Sequence, residues 1–500
     1  MALLFSRIPF RFFLCAYFLS ICLLFSPDKS YASFQGRKVA EGHHRDQHSY
    51  TVQLSTLLPS TACKQSSKEF NKGASLKVVH KHGPCYQQNH DEEKGSVIPN
   101  HTEILRQDHL RVNSIHSKLS GNLAAAGGGG GGGSNDVKGM DSTRLPAKDG
   151  STVGSGNYIV TVGLGTPKRD LSLIFDTASD LCWTQCEPCV KYCYSQKEPI
   201  FNPFQSASYS NISCSSSFCS SLFSATGYPP RCTSTSTCVY VLQYGDSSFS
   251  LGYLGSERLT LTSTDVFDNF LFGCGQNNQG LYGGAAGILG LGRDKMSLVS
   301  QTAQKYKKIF SYCLPSTSSS DGFLIFGGWA SECLKYTPIS TISAEPSFYG
   351  IDFTGISVGG TKLPISAAVF STAGAIIDAG TVITRLPPRA YSALRSAFRR
   401  KMSKYPTAPS LSILDTCYDL HSYETITVPK ISLFFKGGIQ VDVDKAGIFY
   451  VNNSSQVCLA FAGNSNATDL AIFGNVQQQT LEVVYDGAAG RLGFAPGACS

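Results

Sequence analysis

Two segments of the chain share one pattern, in which an apolar run that favours a β-strand ends at an aspartate followed by small residues. The first segment, LSLIFDTASDLCW, surrounds Asp176, and the second, AGAIIDAGTVITRL, surrounds Asp378, 202 positions later. Each is followed later by another apolar run that we expect to form its partner strand, AAGILGLG at residues 285–292 and LAIFGNV at residues 470–476. A buried carboxylate is costly unless it is paired. The repetition therefore predicts two duplicated lobes that meet face to face and bring the aspartates together.

The remaining sequence predicts an all-β fold. With 500 residues the chain exceeds what one hydrophobic core normally holds, so two or more lobes are expected. Short runs of Val, Ile, Tyr, Phe and Thr stand between glycines and prolines, as in GNYIVTVGLGTP and VPKISLFFKGG. This punctuation is typical of strands joined by turns.

The types of side chain present after the glycine tract limit which kinds of catalytic site this part of the chain can form. Of ten histidines, His421 alone follows the glycine tract at residues 124–134, so a His-ligated metal or a His-activated nucleophile is poorly supplied. Two carboxylates that share one proton provide a general acid and a general base together. We therefore expect hydrolysis by Asp176 and Asp378, with no metal and no organic cofactor.

The first 32 residues have the pattern of a secretory signal peptide. Arg7 and Arg11 are basic, residues 12–25 are apolar, and small residues precede a plausible cleavage after Ala32. An uncleaved signal anchor is the alternative. Secretion or delivery to the vacuole is expected, with the plastid as an alternative compartment.

Residues 33–144 have the composition of a removable prosegment. Leu145 to Ser500 carry 25 Lys and Arg against 24 Asp and Glu, whereas the preceding part carries 17 against 11. The stretch HTEILRQDHLRVNSIHSKL has apolar residues at helical spacing, and the glycine tract that follows it is too costly to order. A disordered basic tail that contacts nucleic acid is the alternative.

Nine histidines lie in this leader, and they predict a response to pH. Free histidine titrates near 6.5, so acidification should charge these side chains and favour release of the leader. The alternative is that they are scattered surface residues with no role. The histidines considered are His80, His82, His101, His109 and His116.

Cysteine usage agrees with an oxidising compartment. There are 18 cysteines, and 14 of them occur from Cys182 onward. Behind a secretory signal, disulfides are favoured over a zinc site. Asparagines in glycosylation sequons suit surface loops of a secreted protein; the candidates are Asn211, Asn452, Asn453 and Asn466.

Residues 145–500 resemble a pepsin-type aspartic protease of the plant nepenthesin-like branch, and most closely the group that includes the chloroplast-nucleoid aspartic protease. The matching stretches are GNYIVTVGLGTP, LCWTQCEPC, YGDSSFSLGYL, FGCGQNNQGLY, AAGILGLGR, IFSYCLP, ITRLPP, CLAF and IFGNVQQQTLEVVYD. The resemblance implies a bilobal all-β fold with a cleft between the lobes. Residues 145–340 would form the first lobe, with a Cys-rich insertion and a flap, and residues 341–500 the second. It also implies a monomeric acid endopeptidase that acts on polypeptides and is made as a zymogen inhibited by its own prosegment.

The resemblance also assigns roles to individual residues. Asp176 and Asp378 match the catalytic pair. The residues that would support their carboxylates are Thr177, Ser179, Gly380 and Thr381. The residues of the flap and its hydrogen-bonded neighbour are Tyr244, Gly245, Asp246 and Trp183. The disulfide candidates, which leave the partners of Cys182 and Cys333 open, are Cys186, Cys189, Cys193, Cys214, Cys219, Cys232, Cys238, Cys274, Cys313, Cys417, Cys458 and Cys499.

Two alanines depart from the family pattern Asp-Thr/Ser-Gly. Ala379 removes a hydroxyl from a reciprocal hydrogen-bond grip with Thr177, which costs about 1–3 kcal/mol if a buried partner is left unsatisfied. Ala178 would cost about 1–2 kcal/mol if its backbone were left-handed. We expect a weakened protease. The alternatives are a protease-fold binding protein, like the xylanase inhibitors, and a plastid nucleoid protease whose leader contacts DNA.

Overall fold

The computed structural model describes residues 48–58, 63, 73–87, 100–120, 158–244, 248–280, 282–316, 322–372 and 374–499. The expected signal peptide, the glycine tract and the flap residues Gly245 and Asp246 lie outside the described residues. Within these ranges, no helix is long and apolar enough to cross a bilayer.

The leader contains two strands and two helices in its described part. They are β1 (Ser49–Gln53), β2 (Ala74–His80), α1 (Pro84–Gln87) and α2 (His101–Leu119), with a 3-10 turn at Leu54–Thr56. Helix α2 covers the stretch whose spacing predicted a helix, so that prediction is confirmed. It begins at the N-cap Asn100, whose side chain accepts a hydrogen bond from the backbone N–H of Glu103 at 3.1 Å.

The described residues between 158 and 499, which follow the leader, are called the body. Its first part, up to Pro338, is mostly β-structure. Its strands are β3 (Tyr158–Leu164), β4 (Arg169–Asp176), β5 (Trp183–Gln185), β6 (Ser210–Asn211), β7 (Arg231–Cys232), β8 (Cys238–Gln243), β9 (Phe249–Thr262), β10 (Asp265–Gln279), β11 (Gly287–Gly290), β12 (Ile309–Cys313), β13 (Gly322–Phe326) and β14 (Lys335–Pro338). Its short helices are α3 (Ser217–Ser220), α4 (Leu222–Thr226), α5 (Leu298–Gln301) and α6 (Ala303–Tyr306), with a 3-10 turn at Pro203–Gln205.

The second part repeats this character and adds one longer helix. Its strands are β15 (Phe353–Val358), β16 (Thr361–Lys362), β17 (Ala375–Ile377), β18 (Thr384–Leu386), β19 (Thr407–Ala408), β20 (Cys417–Tyr418), β21 (Thr425–Pro429), β22 (Ile431–Phe435), β23 (Ile439–Asp442), β24 (Phe449–Asn453), β25 (Gln456–Leu459), β26 (Phe461–Gly463), β27 (Ala471–Phe473), β28 (Glu482–Asp486) and β29 (Arg491–Ala495). Its helices are α7 (Ala367–Ser371), α8 (Pro388–Lys401), α9 (Lys445–Ile448) and α10 (Asn475–Gln478).

The duplicated aspartate strands behave alike. Strand β4, which ends at Asp176, pairs in parallel with β11, and β17, which precedes Asp378, pairs in parallel with β27. Both partners come from the later apolar runs noted in the sequence, so the predicted pairing is confirmed. Residues 171–176 of β4 and 375–377 of β17 are all buried, which is why these runs are continuously apolar rather than alternating.

The leader is built into the sheets of the body. Strand β2 lies between β13 and β3 in the largest sheet of the described chain, and β1 pairs with β21. The side chains of Ala74, Leu76 and Val78 are buried, whereas Lys77 is exposed, as the two-residue period of a strand requires. Leader and body therefore share backbone hydrogen bonds in addition to side-chain contacts.

Disulfides connect the twelve candidate cysteines of the body in pairs. The pairs are Cys186–Cys274, Cys189–Cys193, Cys214–Cys232, Cys219–Cys238, Cys313–Cys499 and Cys417–Cys458. A further pair, Cys63–Cys85, lies inside the leader, so no disulfide ties the described leader to the body. Cys182, which is buried, and Cys333, which is exposed, are free thiols.

Candidate active site

Asp176 and Asp378 lie at the ends of equivalent strands and are almost completely buried, with exposed fractions of 1% and 0%. The carbonyl of Asp176 accepts a hydrogen bond from Leu291 at 2.9 Å, and the N–H of Asp378 donates to Phe473 at 3.1 Å. Leu291 directly follows β11, the parallel partner of β4, and Phe473 is the last residue of β27, the parallel partner of β17. Each bond therefore ties an aspartate to the strand that pairs with its own. Backbone hydrogen bonds thus hold both aspartates in place at the ends of their strands.

Each carboxylate is also held by its own turn. Asp176 accepts from the backbone N–H of Ala178 at 3.0 Å and from the hydroxyl of Ser179 at 2.7 Å. Asp378 accepts from the N–H of Gly380 at 2.8 Å and from the hydroxyl of Thr381 at 2.5 Å. Three of the four supporting residues expected from the family resemblance, Ser179, Gly380 and Thr381, therefore contact the carboxylates, and the donors are equivalent in the two turns.

The two turns grip each other through one hydrogen bond. The N–H of Ala379 donates to the hydroxyl of Thr177 at 2.9 Å, and Ala379 has no hydroxyl with which to return it. Its carbonyl accepts from the side-chain amide of Asn475 at 2.9 Å. The backbone at Ala178 is not left-handed, so the strain considered for that residue does not arise. Of the two alanines, only Ala379 therefore changes the hydrogen bonding between the turns.

The flap tyrosine makes the contact expected of it. The indole N–H of Trp183 donates to the hydroxyl of Tyr244 at 2.9 Å. Trp183 is 1% exposed, and its ring packs edge-on against Tyr282 with centroids 5.2 Å apart. An aromatic cluster therefore supports the base of the hairpin between β8 and β9.

A leader residue, Arg111 of helix α2, occupies the space between the two carboxylates. Its guanidinium bonds Asp176 through Nη1 at 2.9 Å and Nη2 at 2.8 Å. It bonds Asp378 through Nη2 at 3.0 and 3.2 Å and through Nε at 3.2 Å. A Cβ on Gly380 would lie 2.4 Å from Nη2, so only glycine fits beside this cation. All four carboxylate oxygens are thus bonded to the guanidinium of Arg111.

The electrostatics of the pair follow from burial and from this cation. Burial alone would raise the pKa of Asp176, but Arg111, Ser179 and the N–H of Ala178 lower it below its usual value. The pKa of Asp378 is raised, because burial and the neighbouring Asp176 outweigh Arg111. Burial opposes the charge on Arg111, yet the two carboxylates raise its pKa. The three groups form one strongly coupled charge cluster.

A second leader residue, Asp108, binds the body one helical turn away from Arg111. Its carboxylate accepts from the backbone N–H groups of Val382 at 2.6 Å and Ile383 at 3.2 Å. It also accepts from Nη2 of Arg385 at 2.8 Å, in an ion pair whose side chains are 0% and 3% exposed. Burial raises the pKa of Asp108 in spite of these donors.

Apolar contacts complete the seat of helix α2. Leu105 packs into one cluster with Val382 and Ile383. Val112 and Ile115 pack into another cluster that includes Phe348, Ile376, Leu470 and Ile472, with Ala178 at its edge. Near the end of the helix, Lys118 forms an ion pair with Glu345, and His116 contacts the carbonyl of Leu470 at 2.9 Å.

Two leader histidines are packed where a charge is unfavourable. The ring of His80 meets Tyr158 edge-on at 5.2 Å and lies 5.8 Å from the ring of His82. Burial, followed by the charge of Lys81 and the proximity of His101, lowers the pKa of His80 to about 3. Burial and the same Lys81 lower the pKa of His82 to about 2. Both rings are therefore neutral while the leader is bound.

Two more of the leader histidines are shifted in the same direction. Burial lowers the pKa of His101, whose ring contacts the hydroxyl of Tyr450 at 3.0 Å. Burial also lowers the pKa of His109. The proposal that all of these histidines are scattered surface residues does not fit His80, His82 and His101.

The glycosylation candidates lie in the second half of the body, except for Asn211. Asn211, Asn453 and Asn466 are exposed, and Asn452 is half-buried. Among the described residues, no group of three or more His, Cys, Asp or Glu is close enough to hold a metal ion.

The sequence reasoning missed three of the residues that make this site. Arg111 and Asp108 were counted only as charges of a basic leader, and Arg385 was not considered. A signal was present, because 108 and 111 fall on the same helical face as Leu105, Val112 and Ile115. Charged residues within an apolar face call for charged partners, and the candidate partners include a buried aspartate pair.

Asp180 was also missed, although it joins the two halves of the body. Its carboxylate accepts from the hydroxyl of Ser347 at 2.6 Å and from the N–H of Asp294 at 2.9 Å. Burial raises its pKa to about 7. This contact lies four residues after Asp176 and helps to keep the cleft aligned.

Comparisons with known proteins agree with this geometry. A family described as xylanase inhibitor N-terminal matches residues 158–328, and one described as xylanase inhibitor C-terminal matches residues 348–496. An aspartyl protease family protein of Arabidopsis thaliana is 60% identical over 459 residues, covering 91% of this chain and 94% of that protein. Aspartic proteinase nepenthesin-2 of Nepenthes gracilis is 39% identical over 357 residues, covering 69% of this chain and 78% of that protein.

A solved structure supports the fold. The crystal structure of edgp matches with a TM-score of 0.55 and 21% identity, covering 70% of this chain and 93% of that one. At this identity the likeness concerns the fold alone, and the expected all-β, two-lobed, pepsin-like fold is confirmed. The chain belongs to the plant pepsin-type aspartic proteases, in the group that contains the nepenthesins and the xylanase-inhibitor proteins.

Proposed function

We propose that the chain is the zymogen of an aspartic endopeptidase, in which helix α2 of the prosegment blocks the catalytic carboxylates. The observation that carries the proposal is Arg111, whose guanidinium bonds all four oxygens of Asp176 and Asp378. Hydroxyl and amide groups of the body already hold the two buried carboxylates, so Arg111 is not needed to position them. Such a pair, covered by a removable cation, suits an enzyme that must stay inactive until it is processed.

In the processed enzyme, a water molecule takes the place of the guanidinium. Two neighbouring buried carboxylates cannot both stay charged, so the pair holds one proton. The ionised aspartate removes a proton from the water while the protonated aspartate donates to the peptide carbonyl. Ser179 and Thr381 hold the outer oxygens in place during the transfer. Tyr244 and its hairpin cover the substrate, and no cofactor takes part.

Acid should trigger release of the prosegment. A base whose pKa is lowered in the bound state stabilises binding above its free pKa and loses that contribution as the pH falls. Free histidine titrates near 6.5, whereas His80 and His82 have bound pKa values of about 3 and about 2. Their contribution is therefore complete above pH 6.5 and declines steadily below it.

The proposed processing follows from this arrangement. Signal removal after residue 32 and cleavage of residues 33–144 leave a body with lobes at 145–340 and 341–500. The chain acts on polypeptides as a monomer in the secreted or vacuolar compartment. Its disulfides suit that route.

A binding protein with the same fold is the second candidate. Ala379 favours it, because the missing hydroxyl removes half of the grip between the two turns. The descriptions of the matching families name xylanase inhibition. Against it, the groups that move protons, the hydroxyls beside them and Tyr244 are all retained. DNA contact through the leader is less supported still, because Arg111 and the apolar face of α2 are engaged by the body.

The experiment that tests the proposal uses the purified precursor. After acidification it should digest denatured globin, and pepstatin should stop the digestion. The Asp378→Asn precursor, treated in parallel, should remain folded and leave globin intact. A wild-type precursor that loses its leader but digests no globin would favour the binding protein.

A further inference from the structure

The groups of the body that bind the carboxylate of Asp108 form a second carboxylate site, separate from the aspartate pair. Its three donors come from one short stretch of the body that begins four residues after Asp378: the N–H groups of Val382 and Ile383 and the guanidinium of Arg385. Asp108 is 0% exposed and Arg385 is 2% exposed. Charge-assisted hydrogen bonds of this kind are stronger than neutral ones and favour an ionised acceptor such as a carboxylate.

When the prosegment leaves, these donors lose their acceptor. Arg385 is already under-satisfied, because its buried Nη1 has no hydrogen-bond partner among the described residues. Burial lowers the pKa of Arg385, and Asp108 opposes that shift. Departure of α2 leaves this cation and the two N–H donors without their counter-charge, and such donors favour an ionised acceptor. The freed site will therefore bind an anion that enters the cleft.

The position of the site limits what that anion is attached to. Asp108 and Arg111 are three residues apart on one helix, which separates them by about 4.5 Å along its axis. An extended peptide advances about 3.3 Å per residue. Arg111 marks the place of the bond to be cut, so the second site lies one or two residues from it. The walls beside the site are apolar and include Leu411 and Leu414, so they accommodate a short side chain with a single charged end.

We propose that Arg385, with the N–H groups of Val382 and Ile383, forms a specificity subsite that selects an Asp or Glu side chain one or two residues from the scissile bond. Asp108 occupies this subsite in the precursor as a substitute for such a side chain. The inference rests on the proposed endopeptidase function. It goes further in assigning a substrate class, since acidic peptides would be preferred over neutral ones.

The test compares matched peptides on leader-free protein. The leader is cut at a site-specific protease sequence inserted at residues 127–133 and is then separated from the body by acidification. Peptides with amidated C-termini carry a single Glu or Gln at each of the three positions on either side of the cleaved bond. At pH 5, where Glu is ionised, kcat/KM for the best Glu peptide should exceed that of its Gln twin by about 10- to 100-fold. At pH 3 the preference should shrink, because Glu is then protonated.

The variants are chosen so that the precursor still folds. Arg385→Gln is combined with Asp108→Asn, so that no charge is buried alone, and the Glu/Gln ratio should fall to within about threefold of one. Asp108→Asn alone is the matched control, because its leader-free body has the wild-type sequence and should keep the full ratio. The exposed Arg400→Gln should keep it as well. In a second design, Asp108→Arg with Arg385→Glu reverses the pair, and the preference should move to peptides that carry Arg at the same position.

A binding measurement separates failure of the subsite from failure of the enzyme. The same peptides are titrated into a leader-free Asp378→Asn body, which needs no catalysis. If no peptide is cut but the Glu peptide binds more tightly in an Arg385-dependent way, the endopeptidase proposal fails and the subsite stands. If peptides are cut and the Glu and Gln peptides are cleaved and bound alike, or if the preference survives Arg385→Gln, the subsite is overturned.

Discussion

Replacing Arg111 by Gln should weaken the hold of the prosegment on the body more than any other single change in the leader. The guanidinium is 15% exposed and bonds both carboxylates of the pair. Gln retains a polar side chain but carries no charge and cannot reach both acids with its donors. The two carboxylates would then face each other without a counter-charge.

The expected size of the effect follows from the burial. Breaking a buried ion pair by removing one partner costs about 3–5 kcal/mol. The two aspartates offset part of this cost by sharing a proton, so we take the lower end of the range. A loss of about 3 kcal/mol corresponds to a roughly 100-fold weaker complex between leader and body. If release is driven by protonation of two histidines, this loss moves the midpoint by about one pH unit toward neutral.

The assay requires no catalytic activity. A precursor cut at a protease sequence inserted in the glycine tract holds its leader non-covalently, since no disulfide joins the two among the described residues. The dissociation constant of the leader is measured from pH 7 to pH 4 for the wild type, for Arg111→Gln and for Arg106→Gln. Arg106 is the control, because it lies on the same helix, is more exposed than Arg111 and forms an ion pair with the neighbouring Glu103. Equal constants for the wild type and Arg111→Gln would refute the reasoning.

Three further changes test other parts of the site. Replacing His80 and His82 together by Gln should move leader release about one pH unit toward acid, because a ring that titrates near 6.5 in the free leader and stays neutral in the bound one weakens binding at pH 5 by about 2 kcal/mol; the same titration with exposed His421→Gln is the control, and an unmoved midpoint would leave carboxylates as the trigger. Ala379→Ser restores a hydroxyl beside Thr177 and should raise kcat up to about tenfold, which is about 1.4 kcal/mol; a folded variant with unchanged kcat would show that the missing hydroxyl is not what limits the enzyme. Ala178→Gly should not raise kcat, because no strain exists there to relieve, and a gain from this change alone would contradict the observed backbone.

The fold and the central pair were predictable because their signals are local. A continuous apolar run that stops at Asp176 or Asp378 indicates a strand buried on both faces and a turn that needs a polar partner. The spacing of apolar residues in 101–119 indicates helix α2 in the same way. Each of these signals depends only on residues that are close together in the sequence. It can therefore be recognised without knowing how the rest of the chain folds.

The prosegment contacts were not predictable, because they join residues that are hundreds of positions apart. Nothing near Arg111 shows that it meets Asp378, 267 positions later, and Asp108 meets Arg385 across 277 positions. The strain considered at Ala178 failed for a related reason, since a backbone angle depends on how the whole turn is closed. The role of His80 depends on its packing against Tyr158, which composition does not reveal.

The most direct test of the account is to add the prosegment back to the processed body. Leader-free protein should digest denatured globin at pH 5 in a pepstatin-sensitive reaction. Purified leader, with its Cys63–Cys85 disulfide intact, should suppress that digestion, and the Arg111→Gln leader should require a roughly 100-fold higher concentration. A folded, leader-free body with no pepstatin-sensitive digestion, or equal inhibition by the two leaders, would contradict the claim that Arg111 silences a competent aspartate pair.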